Sequence, residues 1–238
     1  MYKLIFFDTE TTGNTDKDFL CQLAYKLENE SFNELYKPLI KIPPEASAVH
    51  HITNKMITEK NAFKESLDFE KIKNLFESDD SIAIAHNAPF DLMMFKKEGI
   101  EPKKFICTLR LARYLDPEGK IEKYNLQYLR YLLDLDVEAQ AHDAMGDVLV
   151  LEKLFERLKK KFLENESMDK DEALDKMIEI SSHPSLLKFI NFGKHNGKEV
   201  EEITRIDPGY LEWLLKSKLE SDQIDEDWIY TLKHYLNK

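Results

Sequence analysis

The chain has 238 residues, of which 42% are hydrophobic and 33% charged, enough to bury a sizeable core in one main domain with a small appendage. Its net charge of −11 argues against a protein that coats nucleic acid by bulk electrostatics.

Leu4-Ile5-Phe6-Phe7 is a short apolar run and predicts a buried strand that opens the chain. It runs into Asp8-Thr9-Glu10-Thr11-Thr12-Gly13. Side chains of a strand alternate faces, so Asp8 and Glu10 point the same way and Thr9 points opposite. Two carboxylates so placed repel unless something positive lies between them, and hard divalent cations take oxygen ligands of this kind. The plain alternative is a strand end with two solvated carboxylates. Leu20 to Tyr25 and Phe32 to Ile40 predict two further strands joined at Asn29-Glu30-Ser31, an antiparallel three-strand start closed by Pro43-Pro44.

A helix is expected from about Leu67 to Phe76, with Phe69, Ile72, Leu75 and Phe76 on one face. Ser81 to Ala85 predicts a short buried strand ending at His86-Asn87. A helix entered at Pro89 and stopped at Gly99 follows. Phe105 to Leu109 is a further strand candidate, and helices are expected over Thr108–Leu115 and Asn125–Leu133. Asp143 is placed to cap a long helix running to Leu163. Strands first, then strand–helix alternation, indicate an α/β layer fold with a mixed sheet. The expected organisation is a main domain over 1–165, a charged helical linker over 166–183 and a small module over 184–238.

The charge is spread unevenly. Residues 1–165 carry −5 and residues 166–238 carry −6. Lys96 to Arg113 is locally basic, which suits a phosphate contact and a solvated helix face equally well. No apolar run approaches membrane-spanning length, and the N-terminal segment reads as a strand rather than a signal peptide. Cys21 and Cys107 lie in apolar segments without metal-ligand spacing, as reduced core cysteines do. A cytoplasmic protein with no membrane partner is expected.

Two more acidic positions join Asp8 and Glu10. His86-Asn87-Ala88-Pro89-Phe90-Asp91 places Asp91 in the first turn of a helix just after a buried strand. His142-Asp143-Ala144-Met145-Gly146-Asp147 places Asp147 one turn into the long helix, with His142 in the loop before it. Asp147 adjoins the apolar run Val148-Leu149-Val150-Leu151, and a carboxylate bordering a buried run needs a partner.

Asp8 and Glu10, Asp91 within His-Asn-x-x-Phe-Asp, and the pair His142 and Asp147 together resemble the DEDDh family of 3′→5′ exonucleases. The three motifs fall in the family's order within residues 1–165. Ala48 to Thr53, Ile106 to Arg113, Phe192-Gly193-Lys194, Asp207 to Leu214 and Thr231 to Leu236 are similar to the exonuclease X subfamily, so the likeness spans nearly the whole chain. His51 departs from it, standing where the family often has Gly.

The resemblance implies a ribonuclease-H-like fold, a mixed sheet flanked by helices. It also implies two Mg²⁺ or Mn²⁺ ions, with Asp8 bridging both, Glu10 and Asp147 on the one that activates water, and Asp91 supporting the other. His142 would take the proton from that water, a task suited to an unperturbed pKa near 6.5. The implied substrate is a DNA 3′ end, single-stranded or duplex, shortened by one nucleoside 5′-monophosphate at a time in repair or end trimming. Thr11, Val49 and His50 are implied to hold the terminal nucleotide, and Arg110 and Arg113 to touch the backbone. A loop packing on the sheet explains Val49 equally well, and surface placement explains the arginines.

Two other functions compete with this one. An RNA 3′-trimming enzyme would carry the same metals, since these act at phosphorus and do not read the 2′-hydroxyl. A non-catalytic nucleic-acid-binding module would be expected to lack a carboxylate or the histidine, and all five are present. His86 reads as a structural histidine. In the C-terminal module, Gly193 to Lys198 is a basic turn without P-loop spacing. Tyr210, Trp213, Leu214 and Leu215 read as a small core, and the module is open to DNA contact, protein docking or stabilisation.

Overall fold

Phe6 and Phe7 sit side by side on one strand, point to opposite faces and anchor two different cores. That strand is β1 (Lys3–Thr11), the centre of a five-stranded sheet. The computed structural model describes residues 2–138, 143–166, 168–222 and 225–238. β2 (Leu20–Leu27) and β3 (Glu30–Leu35) pair antiparallel on one side of β1, while β4 (Ser81–Ala85) and β5 (Phe105–Cys107) run parallel to it on the other. The order is β3-β2-β1-β4-β5, so the sheet is mixed, as the sequence indicates.

Alternation along β1 and β4 divides the apolar side chains. Leu4, Phe6, Ile82 and Ile84 face the long helix α6 (Ala144–Glu166), packing with Val148, Phe155 and Phe162. Ile5, Phe7, Ala83 and Ala85 face α2 (Phe69–Phe76) and α3 (Ala88–Lys97). On that side Phe7 stacks on Phe95 at 4.8 Å and meets Phe76 edge-on at 5.2 Å. Each of these large side chains, fully buried, contributes about 1.5–3 kcal/mol. Helices thus cover both faces.

Some boundaries differ from those expected. β3 stops at Leu35 rather than Ile40, because Pro38 cannot donate to a ladder and the chain turns away toward Asn61. β5 stops at Cys107, where α4 (Thr108–Tyr114) begins. α1 (Pro44–His50) follows the first three strands, and α5 (Leu126–Leu132) precedes α6.

The stretch expected as a linker is not one. It contains α7 (Lys170–Ser182), which docks on β5 and α4. Ala173, Met177 and Ser181 are buried in the main core, and Ser181 Oγ accepts from the Cys107 N–H at 2.8 Å. Its acidic and basic residues belong to the outer face only.

Beyond it, α8 (Val200–Ile206), α9 (Pro208–Leu219) and α10 (Glu226–Tyr235) enclose a separate small core of Ile190, Val200, Ile203, Leu211, Leu214, Leu215, Trp228 and Leu232. Leu214 and Leu215 belong to it and Tyr210 packs against it, but Trp213 is 60% exposed on the outer side of α9. The basic turn is folded on itself: Lys194 and His195 both meet Asp207, at 2.6 and 2.8 Å. Among the described residues no helix is long and apolar enough to cross a membrane.

Candidate active site

β1 outruns β4. Their pairing ends at Phe6 and Ile84, so Asp8 to Thr11 project past the end of β4. The face rule of the core continues here: Asp8 and Glu10 carry on the row of Leu4 and Phe6 toward α6, and Thr9 carries on the row of Ile5 and Phe7 toward α3. Asp147 of α6 meets the first pair. One carboxylate oxygen each from Asp8, Glu10 and Asp147 lie within 4.8 Å of one another.

Asp91 arrives from the opposite face. Asn87 adopts a left-handed conformation at φ 65°, which asparagine tolerates, and turns β4 directly into α3. Asp91 then falls in the first turn of α3 and is buried. With β4 finished, the Thr9 N–H is free to donate to Asp91 Oδ1 at 3.1 Å, and the Thr9 hydroxyl donates to the same oxygen at 2.7 Å. Asp91 and Asp147 both lie at helix N-termini, whose dipoles favour a carboxylate.

The electrostatics are those of a site short of positive charge. Burial, then the charges of Asp91, Glu10, Asp147 and Asp143, hold the Asp8 carboxyl well above the usual carboxylate range. Glu10 is pushed up to about 8 by burial and by Asp147, Asp91 and Asp143. Burial raises Asp91 to about 7 even against its bonds from Thr9. An all-oxygen anionic donor set clustered this closely fits hard divalent cations, which would relieve the repulsion.

Around the carboxylates the loop after β1 is firmly tied. The Thr11 hydroxyl donates to Gly13 O, and the Thr12 hydroxyl donates to Asp18 Oδ1 at 2.9 Å. A Cβ at Gly13 would lie 2.6 Å from the Asp18 carboxylate, so any larger residue would push that side chain off its bonds from Thr12 and Thr15. His50 at the end of α1 is buried: the Ile52 N–H donates to Nδ1 at 3.0 Å, leaving Nε2 to donate to Thr11 O at 3.2 Å. Its neighbour Val49 is 48% exposed beside this loop. The bond from His50 thus brings the end of α1 against Thr11, the residue after Glu10.

Arg110 and Arg113 are engaged by carboxylates of the C-terminal module rather than standing as free surface cations. Arg110, 4% exposed, donates to Ser181 O at 2.6 Å and pairs with Glu226 at 2.7 Å and Asp227 at 3.3 Å. Arg113 pairs with Asp227 as well. Both guanidinium groups clamp the C-terminal module to α4 and α7, a use that local sequence does not reveal because the carboxylates lie more than a hundred residues away.

His86 bridges Thr108 Oγ1 at 2.9 Å and Tyr124 O at 2.7 Å, and burial lowers it to about 4. His142, the expected base, lies outside the described residues; Asp143 beside it caps α6 by accepting from the Gly146 N–H at 3.0 Å.

One residue of the site has no signature in the sequence. Gln127 of α5 donates from Nε2 to Asp147 Oδ1 at 2.6 Å. A lone amide in a helix carries no spacing signal.

The chain is similar to known proteins. The family described as Exonuclease matches residues 5–155, and the family described as Exodeoxyribonuclease X-like C-terminal matches residues 190–217. Exodeoxyribonuclease 10 of Escherichia coli strain K12 is 30% identical over 205 residues, covering 86% of this chain and 84% of its own. The 3′-5′ exonuclease DinG of Staphylococcus aureus strain MRSA252 is 31% identical over 171 residues, 64% of this chain but 18% of its own length. Among solved structures, exonuclease X in complex with 5′-overhanging duplex DNA superposes with a TM-score of 0.57 at 25% identity, covering 75% of this chain and 99% of that one. The chain is thus a nuclease of the exonuclease family, of the exodeoxyribonuclease X-like kind that carries the small C-terminal module.

Proposed function

We propose that the protein is a metal-dependent 3′→5′ exodeoxyribonuclease that removes nucleoside 5′-monophosphates from DNA 3′ ends in repair or end trimming. The observation that carries this reading is the convergence of Asp8, Glu10 and Asp147 within 4.8 Å, with Asp91 fixed beside them by Thr9. The exodeoxyribonuclease relative and the DNA-bound structural neighbour support DNA as the substrate.

Two Mg²⁺ or Mn²⁺ ions would supply stabilisation of the attacking and leaving oxygens of an in-line displacement at phosphorus. Asp8 would hold both ions, Glu10 and Asp147 the one that activates water, and Asp91 would support the other. Thr9 keeps Asp91 in place, and Gln127 does so for Asp147. His142 would accept the proton of the attacking water. Thr11, with Val49 and His50 next to it, would seat the terminal nucleotide.

Digestion of 3′-labelled and 5′-labelled DNA and RNA with Mg²⁺, and then with EDTA, tests the reading. The expected result is early release of the 3′ label from DNA as a mononucleotide, silence in EDTA, and silence of Asp8→Ala. Turnover in EDTA or by Asp8→Ala overturns the metal assignment. Faster release from RNA than from DNA makes the protein an RNA trimmer.

A further inference from the structure

The parallel strands β1, β4 and β5 all end at the same edge of the sheet, where crevices of α/β proteins take their ligands. At that edge a groove of about 970 Å³ runs from Asn14, three residues past the end of β1, and Asn87, four residues before Asp91, across the ends of β4 and β5. Adjacent strands are about 4.8 Å apart, so the crossing from β1 to β5 is about 10 Å. The far side of the groove is formed by Asn191 and the start of α10, both parts of the C-terminal module. Its volume is at the upper end for a small-ligand pocket, about 300–1,000 Å³.

The lining suits a nucleic-acid strand. Asn14, Asn87 and Asn191 are exposed amides able to donate to and accept from base edges. Phe90 and Met93 supply an apolar floor. Lys96 and Lys123 are exposed at its margins, and neither is engaged by a carboxylate among the described residues. The acidic residues of the module wall do not oppose a phosphate chain, because each already faces a cation. Asp225 pairs with Lys218 at 2.7 Å, Glu226 with Arg110, and Asp227 with Arg110 and Arg113. The two arginines therefore neutralise the wall and hold it in place.

We infer that this groove is the track for the DNA strand just upstream of the terminal nucleotide, and that the C-terminal module is its outer wall. The inference rests on the exonuclease reading above and adds a role for the module within it: a strand of several nucleotides is bound between the main domain and the module, with Lys96 and Lys123 on phosphates.

The test uses the full chain in the non-hydrolysing Asp8→Ala background, with thymidine monophosphate and 5′-fluorescein-labelled oligothymidylates of two, four and six nucleotides as probes. Affinity is expected to rise with length. The double variant Lys96→Glu/Lys123→Glu should lose at least tenfold on the hexamer and leave thymidine monophosphate unchanged, and its salt dependence should be shallower by about 0.7 per lost phosphate contact. Asn191→Trp, an exposed position filled with a bulky ring, should show the same length-selective loss without any change of charge. Hexamer affinity equal to that of the parent in both variants overturns the groove. In the same series the native chain is assayed for cleavage of labelled DNA: normal cleavage with unaffected variants rejects the groove alone, whereas no cleavage rejects the nuclease reading and the groove with it.

Discussion

Gln127 Nε2 donates to Asp147 Oδ1 across 2.6 Å, and Arg130 fixes which way the amide points by donating to Gln127 Oε1 at 3.3 Å. Arg130 also donates to Val137 O, tying the same network to the segment that precedes α6. The carboxylate of Asp147 is therefore oriented by a relay from α5 rather than by α6 alone. Partners of this kind, once removed, weaken a metal site by about 10–100-fold. Gln127→Leu should bind Mn²⁺ more weakly by that order in isothermal titration calorimetry, with turnover reduced and the melting temperature little changed. Unaltered Mn²⁺ affinity would show that the bond is structural only.

The raised carboxyls set a pH dependence for the metal-free protein. Glu10 rises from 4.5 to about 8 and Asp91 from 3.8 to about 7, so the folded chain holds protons that the unfolded chain has already released. Stability must then fall as pH rises from about 4 to about 8. Divalent ions reverse the trend by offsetting the charge that develops. In EDTA the melting temperature should drop across this window, and added Mn²⁺ should raise it more at pH 8 than at pH 5. Glu10→Gln should flatten the EDTA curve, and an identical slope in that variant would remove Glu10 from the account.

Much of this site was legible in the sequence because its parts are local. Alternation put Asp8 and Glu10 on one face, and turn and cap signals put Asp91 and Asp147 in first helical turns, all as the structure has them. What was not legible depends on distant partners. The fully buried residues of α7 are Ala173, Met177 and Ser181, small or flexible and set four apart amid charges, with Leu174, Ile178 and Ile180 only partly covered, so it read as a linker. Arg110 looked like a surface cation because Glu226 and Asp227 are far off in the chain. Trp213 passed for core because aromatic type does not report which side of a helix is covered.

His142 is separable from the ligands by its pH signature. His142→Ala should lower turnover by about 10²–10⁴-fold, the range for loss of a general base, while Mn²⁺ binding persists. Native activity should fall on the acid side as the imidazole takes up a proton. A pH–rate profile of the variant that keeps the same acid limb would assign the proton transfer to another group.

The position of α7 decides where the chain can be divided. A cut at 166 removes α7, exposes the core that Met177 seals, and leaves the Cys107 N–H and the Arg110 guanidinium without the Ser181 groups that satisfy them. A cut at 183 keeps α7 and loses only Glu226 and Asp227 from Arg110. Fragment 1–183 should therefore fold and cleave short single strands, with a melting temperature well above that of fragment 1–166, which should expose apolar surface to a dye such as ANS. Breaking the clamp in the full chain gives the complementary measurement. Arg110→Met should destabilise both sides of the junction, since it removes the cation on Glu226, one of the two on Asp227 and the donor to Ser181 O, and should speed proteolysis between 183 and 190. Equal stability of the two fragments would mean that α7 contributes nothing to the main core and that the division falls before it.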